Sequence, residues 1–93
     1  MVHHVVMWKF RPGTEEQQAA FLGRLQGLHG VIPQLRSCTV QRNTGAGNYD
    51  AVLLSTFDSF ADLEAYRTDP RHQAVSALCK SIRESRASVD YEV

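Results

Sequence analysis

The sequence is short of most features that would announce a function, and each shortage excludes something. Cysteine is scarce: Cys38 and Cys79 are the only two, too far apart for a CxxC redox or zinc pair, and both read as reduced core thiols of a cytoplasmic protein. Net charge is missing as well, since ten Lys plus Arg balance ten Asp plus Glu. Without a basic stripe there is no general attraction to phosphate or anionic lipid, which argues against nucleic acid or a membrane surface as partner. The same neutrality removes one barrier to self-association. No apolar run approaches the roughly 20 residues of a membrane span. The apolar start MVHHVVMWKF has no basic leader and no cleavage site and carries Lys9, so it is read as part of the fold and not as a signal peptide.

Ligand-binding motifs are equally sparse. Four histidines without clustered carboxylates fit no metal-ligand spacing, and His3 and His4, as strand neighbours, point to opposite faces and cannot chelate one ion. Gly45-Ala46-Gly47 joins two apparent strands and offers no helix N-terminus to a phosphate. Ser37, Ser55 and Ser88 lack a GxSxG surround. No metal and no cofactor are expected. Repeats and low-complexity tracts are absent, so residues 1–93 are expected to form one domain, small enough to bury only about two-thirds of its unfolded surface.

What is present is pattern. Residues 2–10 read as a strand with His4, Val6, Trp8 and Phe10 on one face and His3, Val5, Met7 and Lys9 on the other. Thr14 and Gln17 form a capping-box start for a helix carrying Phe21, Leu22, Leu25 and Leu28 inward, closed by His29-Gly30. Residues 35–42 and 49–57 are strands joined by the turn-rich loop 43–48. A short helix starts at Ser59 and ends near Arg67, and Asp69-Pro70 restarts a second one with the stripe Val75, Leu78, Cys79, Ile82. Residues 87–93 make a last strand.

The order strand, helix, strand, strand, helix pair, strand fits an α+β ferredoxin-like antiparallel sheet with its helices on one face. The opposite face, with Val5, Met7, Val52 or Leu54, Val89 and Tyr91, would leave more apolar surface than a monomer tolerates, which predicts a homodimer through the sheet face.

His72 is the candidate for chemistry. With Asp69 as N-cap it takes the third helical position, where the helix dipole disfavours an imidazolium, and its spacing to Val75, Cys79 and Ile82 turns it inward. Tyr66 ends the preceding helix and His4 lies on a strand face that the helices would cover, so three proton-bearing groups are able to converge. A neutral histidine as base with a tyrosine donating to a developing oxyanion is a minimal set for enolising a carbonyl compound. A histidine on a helix's inward stripe is more often a hydrogen-bonded core residue than a catalyst, and Tyr66, at helical spacing from Phe60 and Leu63, is likewise more often core.

HHVVMWKF before a Pro-Gly turn, LHGVIP, YDAVLLSTF, AYRTDPRH and the terminal VDYEV together resemble the stress-responsive A/B barrel (Dabb) family across nearly the whole chain. The resemblance implies a dimeric α+β barrel and a likeness to small polyketide cyclases such as olivetolic acid cyclase, which close a ring by an intramolecular aldol step. It implies His72 and Tyr66 as catalytic residues. It also implies a pocket for a small apolar or aromatic ligand bordered by His4, Val6, Trp8, Phe21, Leu22, Leu25 and Leu53, with Asp90 near the catalytic histidine. Two positions depart: Asp69 stands where the family commonly has the first histidine of HPxH, and Ala51 where the cyclase has another. Trp8 fills room that a substrate tail would need, so olivetolic specificity is not implied. Two other readings stay open, a non-catalytic stress-response or assembly protein and a dimer like the cofactor-free monooxygenases.

Overall fold

The alternation in VHHVVMWKF becomes strand β1 (Val2–Phe10), one of the two inner strands of a four-stranded antiparallel sheet in the computed structural model, which describes residues 1–93. Helix α1 (Glu15–Gln26), strands β2 (Ser37–Arg42) and β3 (Ala51–Phe57), helices α2 (Phe60–Thr68) and α3 (Pro70–Ile82) and strand β4 (Arg83–Glu92) follow in chain order. The strands are arranged β2-β3-β1-β4, so the first strand is gripped by the third and the last. This is the expected α+β ferredoxin-like sheet.

Strand register sets the site. His4 sits opposite Ser55 on β3 and Asp90 on β4, Val6 opposite Leu53 and Ser88, and Trp8 opposite Ala51 and Arg86. On the helix-covered face Val2, Val6, Trp8 and Phe10 are buried and join Phe21, Leu25, Leu53, Val75, Cys79 and Ile82 in one core. Each such side chain contributes about 1.5–3 kcal/mol through burial. On the other face Met7, Leu54, Val89 and Tyr91 remain 36, 48, 55 and 45 % exposed, which forms the apolar patch that the two-sided strands foretold. No helix is long and apolar enough to cross a membrane.

Some boundaries differ from the sequence reading. Thr14 does not cap α1 as a box would: its hydroxyl donates to the Arg11 carbonyl at 2.6 Å and accepts from the Gln18 side-chain amide, and it makes no hydrogen bond to the helix backbone N–H groups. The helix ends at Gln26, and irregular turns carry the chain to Gly30, whose φ of +89° marks the predicted glycine stop. Strand β2 begins at Ser37 and β3 at Ala51, each two residues inside its expected start. Strand β4 begins at Arg83, directly after α3, because Phe10 pairs with Arg83 and the Arg11 amide donates to the Ile82 carbonyl. Its charged, uneven sequence hides that early pairing.

Candidate functional site

The Asp69-Pro70 junction explains why a histidine sits two residues beyond the proline. In an unbroken helix the Arg67 carbonyl would accept from the amide of Arg71. Asp69 intervenes: as N-cap of α3 its Oδ1 accepts that amide at 2.8 Å, and Pro70 fills the first helical position with no N–H to offer. The Arg67 carbonyl is freed and accepts instead from His72 Nδ1 at 3.1 Å and from the Gln73 side-chain amide at 2.7 Å. A carbonyl only accepts, so the His72 proton resides on Nδ1. When the ring is neutral, Nε2 is a bare lone pair.

His4 is arranged similarly. Its Nδ1 lies 2.5 Å from Asp90 Oδ1, across the β1–β4 pairing, while the other Asp90 oxygen accepts from Arg67 Nη2 at 2.6 Å. Arg67 therefore serves both histidines, one through its guanidinium and Asp90, the other through its carbonyl. Neither Nε2 has a protein partner, and both histidines border one cavity.

Burial lowers the pKa of His72, outweighing the opposing hydrogen bond to Arg67, with the charges of Arg86 and Arg67 adding to the same direction. Burial also lowers that of His4, although its bond to Asp90 pulls the other way. For Asp90 burial works upward, but the His4 hydrogen bond and Arg67 prevail and hold the carboxyl below its ordinary value. The arrangement at neutral pH favours two neutral imidazoles, each with Nδ1 engaged and Nε2 without a protein partner.

The cavity measures about 220 Å³ and opens between α1, α3 and the sheet. Of the expected pocket residues, His4, Val6, Trp8, Phe21, Leu25, Leu53 and His72 line it. Trp8 and Phe21, ring centroids 5.1 Å apart and edge to face, form a wall without filling the space. Three expected members do not line it. Leu22 faces the groove beside Gln26 and Val40, one helical position away from the Phe21 and Leu25 side. Asp90 acts from behind His4. Tyr66 is fully buried, its ring 4.4 Å from that of His72 and 5.1 Å from that of Phe57, and its hydroxyl is enclosed without a hydrogen-bond partner. Burial pushes the phenol pKa upward. It packs against His72 and does not border the cavity.

Sequence reasoning missed Arg67, Ser76, Lys80, Arg83 and Arg86, of which all but Arg67 line the cavity. Two signals were available: Ser76 and Lys80 lie four and eight residues after His72 on one helix face, and Arg86, Ser88 and Asp90 alternate onto one face of β4.

An antiparallel sheet covered on one side by helices is the subunit layout of ferredoxin-like α+β barrels. The family model for the stress responsive A/B barrel domain matches residues 2–93, and the chain belongs to that family. Among solved structures it is similar to a dimeric ferredoxin-like protein of unknown function from Bacteroides fragilis, at 33 % identity over 99 % of this chain and 95 % of that one, with a TM-score of 0.88. It shares its fold with the hydroxynitrile lyase of Passiflora edulis, at 17 % identity over 99 % and 92 % of the two chains and a TM-score of 0.89. It also shares it with an antibiotic biosynthesis monooxygenase, at 10 % identity over 100 % and 98 % and a TM-score of 0.87. A comparison with curated proteins finds no match.

Proposed function

We propose that the protein is a homodimeric barrel that binds a small, largely apolar carbonyl compound between sheet and helices, and that His72 acts there as general base. One observation carries this reading: two imidazoles kept neutral by burial, each with Nδ1 engaged, share a cavity walled by Val6, Trp8, Phe21, Leu25 and Leu53. In the step envisaged, His72 Nε2 takes the proton from the carbon next to a carbonyl, and the electron pair of that C–H bond moves onto the carbonyl oxygen. Ser76, one turn along α3 and bordering the same space, supplies a hydroxyl to donate to that oxygen. His4 accepts from a hydroxyl of the same ligand. Tyr66, placed by the sequence at the oxyanion, here holds the His72 ring by packing. Aldol-type cyclisation and other lyase chemistry both begin with this proton transfer.

The dimer rests on the exposed face of Met7, Leu54, Val89 and Tyr91, and on the dimeric description of the Bacteroides relative.

The test is deuterium exchange. 4-Phenyl-2-butanone in D2O with the protein should exchange the protons next to its carbonyl faster than in matched buffer. His72→Gln should cut the enzymatic part by about 100-fold while the folded fraction is unchanged. No acceleration by the folded wild-type dimer would overturn catalysis and favour the non-catalytic reading.

A further inference from the structure

The cavity has two chemically different ends. His4 and Trp8 on β1 are four residues apart, about 13 Å at a strand rise of about 3.3 Å per residue. His72 and Lys80 on α3 are eight apart, about 12 Å at 1.5 Å per residue. Both elements therefore run from a histidine end to an opposite end, and the residues bordering that opposite end are Lys80, Arg83 and Arg86. Register confirms the placement, because Arg86 pairs with Trp8 and Arg83 with Phe10.

Three cations meet there without a counter-ion. The ion pairs of the chain engage Arg36, Arg67, Arg71 and His4, and no carboxylate lies within salt-bridge distance of Lys80, Arg83 or Arg86. Asp90, on the same face of β4 as Arg86, is committed to His4 and Arg67, and Arg86 itself donates only to Ser88 at 3.3 Å. Glu84, the acidic residue next to Arg83, sits without a β1 partner where the β1–β4 register shifts, and it forms no ion pair with any of the three. Crowded like charges at the mouth of an apolar cleft are unfavourable unless an anion joins them.

Resting on the reading of this cavity as a ligand site, we infer that its ligand is a small organic anion, an aryl or short-chain carboxylate, with the charge among Arg83, Arg86 and Lys80 and the far end at the histidines. The apolar body lies against Trp8 and Phe21. The volume of about 220 Å³ equals roughly seven waters at about 30 Å³ each, which suits a single-ring acid. An inorganic anion would satisfy the cations but leave the apolar wall wet, so the ligand needs both parts. A charge-anchored ligand also explains how a step at the histidines is addressed to one carbon: the distance between the two ends measures it.

Calorimetric titration with 3-phenylpropionate and its uncharged amide, 3-phenylpropanamide, separates the claims. At low salt the carboxylate should bind at least tenfold more tightly than the amide, with the preference shrinking as salt rises. Arg86→Gln and Arg83→Gln should each erase most of that preference and leave amide binding within about twofold. Lys9→Gln, removing a charge on the opposite sheet face, should change neither. Equal binding of acid and amide to the wild type, or an undiminished preference in both arginine variants of unchanged thermal stability, would overturn the anion inference while leaving the pocket intact. Failure of both probes at millimolar concentration would overturn pocket and inference together.

Discussion

His3 and His4 are one peptide bond apart on β1, yet they lie in two different chemical worlds. His3, on the open face, stacks on Tyr91 with ring centroids 5.0 Å apart and planes 5° from parallel. His4, on the helix-covered face, is 3 % exposed, tied to Asp90 and turned to a cavity. The residue type and backbone are the same. What differs is the cover: helices remove water from one face, so a hydrogen bond there directs a proton and a neutral ring is favoured. The uncovered face keeps its water and offers flat apolar area, which suits contact with a second subunit.

The largest break in that comparison comes from the wall residues. Trp8→Ala removes a side chain 4 % exposed, packed edge to face on Phe21, and should cost about 3–5 kcal/mol in urea unfolding. Met7, its neighbour on the open face, is 36 % exposed within the subunit. Met7→Lys should therefore cost the subunit little in itself, but should dissociate the dimer in sedimentation at low micromolar concentration, because an unpaired ammonium would be buried between sheets. Equal losses of subunit stability in the two variants would erase the distinction between the faces.

A smaller effect follows from the two covered histidines. Both have folded-state pKa values lowered by burial from an ordinary 6.5, so the unfolded chain binds more protons than the native one as the pH falls. Their contribution is fully present above pH 6.5 and is lost progressively as pH falls from there through the lowered native values. Thermal stability should decline between pH 7 and pH 5, and the double variant His4→Gln, His72→Gln should show a flatter decline over that window. An unchanged slope would mean that neither ring is held neutral.

The parts of this molecule legible in the sequence are those that depend on short spacings. Alternation along β1 assigns His4, Val6, Trp8 and Phe10 to one face, and the Asp69-Pro70 pair with the stripe from Val75 to Ile82 places His72 in the first turn of α3. What escaped depends on pairing between distant segments. The meeting of Arg67 with Asp90, and of Arg86 with Trp8, is set by how β4 returns beside β1, a register that local pattern does not encode. Asp90 entered through family resemblance alone. Tyr66 shows a further limit: helical spacing turns it inward, but a direction does not say whether the hydroxyl reaches a cavity or only the core.

Tyr66 also provides the smallest test of the two-face contrast. Its hydroxyl is buried without a partner, and a hydroxyl so placed forfeits the hydrogen bonds it would make with water, a penalty of about 1–3 kcal/mol for the group. Tyr66→Phe should therefore leave stability unchanged or raise it by up to about 1 kcal/mol, while keeping the ring that packs on His72. Tyr91→Phe, on a side chain 45 % exposed within the subunit, should leave the unfolding of the separated subunit within about 0.5 kcal/mol of wild type. Deuterium exchange of the ketone separates packing from chemistry: Tyr66→Phe should retain the rate, since the phenol oxygen does not border the cavity. A tenfold loss in exchange without a loss in stability would return Tyr66 to the oxyanion position that its sequence context suggests, and would require the ring to turn toward the cavity when ligand enters.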